Sequence, residues 1–384
     1  MSESVTQATL SPQATVTLVP VDTPRLLRRF VEVPYELYRQ DSHWVPPLRR
    51  DELRRLDRRH NPFLEHATMA LWVAERAGRT VGRIAAIEDQ RHNETHGERT
   101  TWFGFFEAID DEVARPLLDR VDAWAAGRAS HDVRGPVSPS LNETAGLLVD
   151  GFDSEPYILM PYNPPGYAAF IEAAGYRKAK DLLAWDIDLT RPPSERILRV
   201  ADRVRQRPDI RVRTVDMSAF DREIATLQEI YRRAWEDNWG FVAPTDREIR
   251  QLARDLRPVI EPELVLFVEK DGQPVGCVVS LPDLNQVLRR MGGRLLPFGI
   301  VHFLRRRRIV SRARMLLLGV VPEARRLGIY PLLIAESQQR GVALGLTRGE
   351  LSWTLEDNAL INAGIEAAGG RRYKTYRLYE KSLR

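Results

Sequence analysis

The chain has one cysteine, Cys277, so no disulfide can form within it, and a reducing compartment, the cytoplasm, is expected. It has no apolar run near the roughly 20 residues that span a bilayer. The nearest, Leu295–Leu304, is short and broken by Pro297 and His302. Residues 1–15 are polar and lack the apolar core of a signal peptide; they are expected to be disordered. Charge of one sign is also scarce. Fifty-seven basic and 53 acidic side chains leave a net +4, too even for a nucleic-acid surface, and nucleic acid is not an expected partner. The run Arg305–Arg308 is read as a solvated face beside an apolar insert. His92 and His96 stand four apart in a stretch read as a loop, with no Cys or Glu cluster to complete them, so no metal is expected.

What the chain does have is a repeat. Ile171-Glu172-Ala173-Ala174-Gly175 recurs as Ile365-Glu366-Ala367-Ala368-Gly369, 194 residues later. The same offset carries Gly78, Val81 and Gly82 onto Gly272, Val275 and Gly276, and Lys180 onto Lys374. A period of this length is a whole domain. Each half reads as strand, helix, three strands, helix, strand, helix, strand, an order that implies an α/β sheet of mixed direction. The boundaries are 16–190, a linker helix in 191–209, and 210–384. The first half carries an extra loop from Leu147 to Pro165, the second an insert from Pro282 to Arg312. That insert is expected to cover the second half's cleft, with Leu295–Leu304 packed inward.

The sharpest local signal runs from Leu316 to Leu333. An apolar strand enters a basic, glycine-containing turn that opens an amphipathic helix. Helix N-termini offer unpaired N–H groups and partial positive charge, which suits phosphate. Arg325 and Arg326 add side-chain charge, and Gly328 lets a backbone come close. A side chain at Gly328 is expected to intrude on the phosphate. The matching turn of the first half, Ile109–Glu112, is acidic and would repel one, so at most one site is expected, in the second half.

Arg325-Arg326-Leu327-Gly328-Ile329-Tyr330 resembles the Arg/Gln-x-x-Gly-x-Gly/Ala motif of the GCN5-related N-acetyltransferase (GNAT) superfamily. Asn358 resembles that superfamily's Asn at the start of the next helix, and Gly369 follows eleven residues on. The resemblance implies two tandem GNAT-like acyl-CoA N-acyltransferase domains, each a mixed, mostly antiparallel sheet flanked by helices, the first degenerate, as in bacterial tandem-GNAT proteins. It implies an acyl-CoA-dependent N-acetyltransferase, or transferase of another acyl group, with acetyl-CoA or another acyl-CoA as co-substrate and a small-molecule amine as acceptor. The cofactor residues carried over are Leu318, Gly319, Val320, Arg325, Arg326, Gly328, Ile329, Tyr330 and Asn358. The chain departs from the pattern at Tyr330, which is expected to crowd the turn, and at Ile365, where a general-acid Tyr often stands. Glu356, ahead of Glu350, is the candidate base. Tyr379 is taken as the replacement acid from among Tyr330, Tyr376 and Tyr379. The competing class is a non-catalytic small-molecule or acyl-CoA binding protein; a weaker reading is transfer to aminoacyl-tRNA. The aromatic segment Tyr157–Tyr167 and the turn Ser138–Thr144 are candidate substrate loops.

Overall fold

The computed structural model describes residues 15–383, apart from Asp237. Fifteen strands are found among them. The first half supplies β1 (Thr17–Pro20), β2 (Ala67–Arg76), β3 (Arg79–Asp89), β4 (Thr100–Ala108), β5 (Asp132–Gly135), β6 (Val137–Ser138), β7 (Thr144–Ala145), β8 (Leu147–Asp150) and β9 (Arg177–Asp188). The second supplies β10 (Ile210–Thr214), β11 (Val265–Lys270), β12 (Gln273–Pro282), β13 (Arg312–Val320), β14 (Arg348–Leu355) and β15 (Arg371–Ser382). The expected disorder over 1–15 falls, but for Thr15, outside the described residues.

The repeat governs local geometry. Each half has a two-residue hairpin turn with both φ values positive: Ala77 at 51° and Gly78 at 75°, then Asp271 at 48° and Gly272 at 76°. Such turns match the twist of the strands they join. The repeated pentapeptide ends equivalent helices, Tyr167–Ala173 and Ala359–Ala367. Gly175 and Gly369 follow in left-handed conformations at φ 91° and 93°, and each N–H bonds the carbonyl three residues back at 2.9 Å. Glycine carries no Cβ penalty there, which is why it closes both helices.

The strands after those helices do not return to their own half. The sheet order is β1-β2-β3-β4-β5-β15-β9-β14-β13-β12-β11-β10. The last strand of the chain, β15, therefore lies between β5 and β9, pairing Tyr379 with Gly135 and Arg377 with Asp181. The first half's last strand, β9, pairs antiparallel with β14, from Arg348↔Asp188 to Leu355↔Leu182. Each half thus lends its last strand to a shared centre. Tyr376, Leu378 and Tyr379 of β15 are fully buried there. Their burial contributes about 2 kcal/mol each.

The Pro282–Arg312 insert is helical, as expected of a cover, but packs differently from expectation. It forms three short helices, Asn285–Met291, Gly299–Leu304 and Arg306–Ile309, with Val287 and Met291 inward. The stretch Leu295–Leu304 is not packed inward: Leu296, Phe298 and Leu304 point outward, each at least 70% exposed. Gly292, Gly293 and Pro297 break the segment, so no continuous apolar stripe forms. Residues 90–96 are likewise a helix rather than a loop, capped by Asp89. His92 is buried against Trp102 and bonds Glu98, and burial lowers its pKa.

His66 links the halves. It lies 3.1 Å from Asp89 on β3 and 3.4 Å from Glu248, the N3 residue of a capping box opening helix Asp246–Leu256. Burial opposes the imidazolium, but the two carboxylates outweigh it and raise the pKa to about 9. A raised folded-state pKa means stability fully present below the ordinary 6.5 and lost as pH rises through about 9. We expect unfolding in urea to show about 2 kcal/mol less stability on the alkaline side of that window, with partial solvent screening included. His66→Gln should flatten this pH dependence.

Candidate active site

Strands β13 and β14 pair in parallel from Arg312↔Arg348 to Met315↔Leu351 and then part. On its other side β13 carries a bulge: Leu317 pairs Val279 and Met315 pairs Ser280, which leaves Leu316 between them. Beyond the parting, the β13 edge facing β14 makes no strand pairing among the described residues. Leu316, Leu317 and Leu318 there are half-buried. Gly319 is needed for packing: a Cβ would come within 2.2 Å of the Trp235 ring. The strand runs into a 3₁₀ turn, Pro322–Leu327, then Gly328 at φ 79° and helix Ile329–Ala343. Arg326 and Arg325 are exposed on that turn. Arg325 donates to the carbonyls of Val320 at 3.4 Å and Ala234 at 3.2 Å. Ile329 is in the core, and Tyr330 packs against it half-buried, with its pKa raised by burial. Tyr330 therefore turns toward the core instead of crowding the turn Pro322–Leu327.

Where the strands part, charge is buried. Arg314 and Glu350 stand side by side in register and are 3% and 0% exposed. The guanidinium Nε lies 3.6 Å from Glu350 Oε1. It also donates to Ser352 Oγ at 2.8 Å, and its two other nitrogens reach the carbonyls of Ile158 at 2.9 Å and Ser352 at 3.2 Å. Ser352 Oγ donates to Glu350 Oε1 at 2.5 Å, and the Tyr373 hydroxyl donates to Oε2. Lys374 is buried beside them and donates to the carbonyls of Gly151 and, at 2.8 Å, Ser154. Among the described residues, the buried Tyr376 hydroxyl has no hydrogen-bond partner. Burial raises the Glu350 pKa against the opposing charge of Arg314, and burial lowers Lys374 to about 8. Groups of opposite type pushed toward neutrality in one place are the usual material of acid–base chemistry. Only Tyr373 is partly exposed, so it is this cluster's contact with the outside.

The sequence-chosen acid and base lie elsewhere. Glu356 accepts from the Asp181 N–H at 3.0 Å and Lys178 Nζ at 2.6 Å. It borders an open groove of about 490 Å³ with Asp150, Asp181, Arg372 and Arg377. Tyr379 is fully buried in the first half's core and bonds Glu172 at 3.1 Å; burial, with Glu172, raises its pKa to about 12. Neither residue has a hydrogen bond to the Glu350 cluster. The strand exchange is the reason: β15 takes Tyr379 away toward β5 and brings Tyr373 and Lys374 to β14's neighbourhood instead. Asn358 accepts from Ile361 N at 3.4 Å and caps the helix after β14. Glu350 was legible in the sequence as the second candidate base, behind Glu356; its pairing with Arg314 and Tyr373 was not.

The first half has no such opening. After Trp102↔Arg134, β6 fills the gap between β4 and β5. A Cβ on Gly104 would sit 1.5 Å from the Val137 carbonyl oxygen, and Ser138 Oγ accepts from Phe105 N at 2.9 Å. The matching helix N-terminus already holds negative charge: Asp110 caps Val113 N at 3.0 Å and pairs with Arg76 at 2.5 Å. Of the candidate loops, Ser138–Thr144 braces the second half through Asn142 and the Val242 carbonyl at 3.0 Å. In the other, Ile158 supports Arg314, as given above, and Tyr167 bonds Glu107 at 2.9 Å.

This architecture defines a tandem GNAT-fold protein. Two solved structures share it over 96% of this chain: the tandem GNAT protein from the clavulanic acid biosynthesis pathway, TM-score 0.60 at 14% identity and 99% of its own length, and a GCN5-related N-acetyltransferase from Sphaerobacter thermophilus, TM-score 0.53 at 15% identity and 96% of its length. At such identities they show the fold alone. No protein-family model matches the chain. More particularly, the chain belongs to the family of the bacterial ceramide synthase of Caulobacter vibrioides and the protein YghO of Escherichia coli. It is 39% identical to the former over 97% of this chain and 99% of that protein, and 36% identical to the latter over 93% of each. The fold and these relatives support an acyl-CoA-dependent acyltransferase in general terms.

Proposed function

We propose that this protein transfers an acyl group from acyl-CoA to an amine at the parting of β13 and β14. The observation that carries the reading is the buried Glu350 cluster lying at the foot of an unpaired strand edge that leads to a basic helix N-terminus. The pantetheine arm of acyl-CoA would pair along Leu318–Val320, with its pyrophosphate on the turn of Arg325, Arg326, Gly328, Ile329 and Tyr330, and Asn358 on the opposite wall. A backbone N–H of the unpaired edge would polarise the thioester carbonyl. The amine nitrogen attacks that carbon, the C–S bond breaks, and the leaving thiolate takes a proton. The amine's proton passes through the Tyr373 hydroxyl to Glu350, which burial makes a stronger base than an exposed carboxylate. Tyr373, which faces the outside and can take the proton back from Glu350, is the donor for the thiolate. This reading replaces Glu356 and Tyr379 by Glu350 and Tyr373.

The name of the ceramide synthase relative suggests the acceptor: a ceramide is the amide of a long-chain amino alcohol, so a sphingoid-type amine is the first to test. The test is thiol release from acyl-CoAs of increasing chain length with sphingoid and short amines. Release dependent on a long-chain amine supports the reading; acyl-CoA binding with no release for any amine would make this a binding protein. Arg325→Ala should weaken CoA binding only modestly, because its guanidinium is already shared with two carbonyls. We expect about 1.5 kcal/mol, roughly tenfold, by calorimetry.

A further inference from the structure

The outward face of the second-half insert is unlike the rest of the surface. From Asn285 to Ala313 the sequence has eight arginines and no acidic residue. Leu296 at 70%, Phe298 at 80%, Val301 at 43% and Leu304 at 71% exposure lie within nine consecutive residues. Large apolar side chains this exposed and this close together mark a contact surface rather than ordinary scatter. Arg289 and Arg307 pair with Glu155 and Glu261. Among the described residues, the exposed Arg290, Arg294, Arg305 and Arg308 form no ion pair. The apolar side chains thus stand among unpaired positive charge.

The face is held in place from beneath. Asn285 Nδ2 donates to the Pro156 carbonyl at 2.8 Å, and Arg312 pairs with Asp283 at 2.7 Å and Glu155 at 3.1 Å. Arg49 N donates to the Gly293 carbonyl at 3.3 Å. A Cβ on Gly299 would fall 2.3 Å from the Arg294 carbonyl oxygen, so the second helix is packed tightly on its inner side. The outer apolar residues are left without partners by a fixed support, not by looseness of the segment.

We propose that this face seats the protein on an anionic phospholipid bilayer. Leu296, Phe298, Val301 and Leu304 would enter the boundary between headgroups and acyl chains, while the unpaired arginines meet lipid phosphates. Charge complementarity selects this occupant: two copies of the face would bring arginine against arginine. The insert also leans on the loop whose Ile158 carbonyl holds Arg314, so the bilayer would lie beside the Glu350 cluster. The proposal does not require the acyl-transfer reading, since it concerns adsorption alone.

The test is co-sedimentation of the full chain with phosphatidylglycerol–phosphatidylcholine vesicles and with pure phosphatidylcholine vesicles. Binding should rise steeply with anionic lipid content and fall in high salt. The triple variant Leu296→Ser, Phe298→Ser, Leu304→Ser should lose at least tenfold in vesicle affinity with an unchanged melting temperature, because these side chains are exposed. Arg305→Glu with Arg308→Glu should lose the preference for anionic lipid. Equal binding by the triple variant and the parent chain would overturn the proposal. So would a dimer of the parent chain that the triple variant dissolves, in a protein that leaves vesicles unbound; the face would then belong to a second copy.

Discussion

Glu350→Gln should abolish most turnover while leaving acyl-CoA bound. The amide keeps the shape of the carboxyl group, and its one oxygen can still accept from Tyr373 or from Ser352, but its nitrogen only donates and it cannot take a proton. Loss of a positioned general base costs roughly 10²- to 10⁴-fold in kcat. The parent enzyme should lose activity on the acid side as Glu350 protonates, at a pH above the ordinary carboxylate range because burial raises its pKa. The variant should lack that limb. Stability must be followed in parallel, because Arg314 is as buried as its partner. Removing one member of a buried pair costs about 3–5 kcal/mol when nothing else holds the remaining charge. Here Ser352 and the Ile158 carbonyl also bind the guanidinium, so the loss should be smaller than that; Glu350→Ala, which also leaves a cavity, should lose more. A folded Gln variant that turns over at the parent rate would remove Glu350 from the chemistry. Tyr373→Phe should then be tried, since it separates the relay from the pair.

Gly328→Val should damage both the fold and the phosphate turn. The structure corrects the reason. A side chain at Gly328 does not point to the phosphate position: its Cβ would lie 2.8 Å from Val200 and 2.9 Å from Val204, on the helix joining the halves. The residue is also left-handed, at φ 79°, where a β-branched side chain is strained. Strain and overpacking together should cost about 2–4 kcal/mol in thermal unfolding. CoA affinity should fall at least tenfold, as the turn moves off the helix that supports it. Calorimetry reading the same affinity for the variant would show that the turn does not hold the pyrophosphate.

The elements that were legible in the sequence are those fixed by local chemistry. Gly175 and Gly369 end helices because of their own φ, and Ala77-Gly78 and Asp271-Gly272 turn hairpins for the same reason. The GNAT order of strands, the basic turn at Gly328 and the Asn358 cap follow from short stretches too. The strand exchange was hidden because β9 and β15 carry the same apolar pattern whichever neighbour they take. Glu350 was ranked below Glu356 because its partner Arg314 lies on another strand, and a lone carboxylate in an alternating strand reads as surface. The insert was misread because an apolar run suggests a core, and only the placement of Gly292, Gly293 and Pro297 decides otherwise.

The interleaved centre of the sheet also sets an order of events at the ribosome. When the first 190 residues have emerged, β5 and β9 have no neighbour on the sides that β15 will occupy. With β8, which also pairs β15, three strand edges stay open until residues 371–382 are synthesised. At a translation rate of about 5–20 residues per second this is an interval on the order of ten seconds or more. During it the nascent chain exposes pairing edges that a neighbouring nascent copy can match with its own β15. The same exchange that brings Tyr373 to Glu350 thus makes the first half dependent on residues 371–382, and makes crowded translation a hazard for this protein.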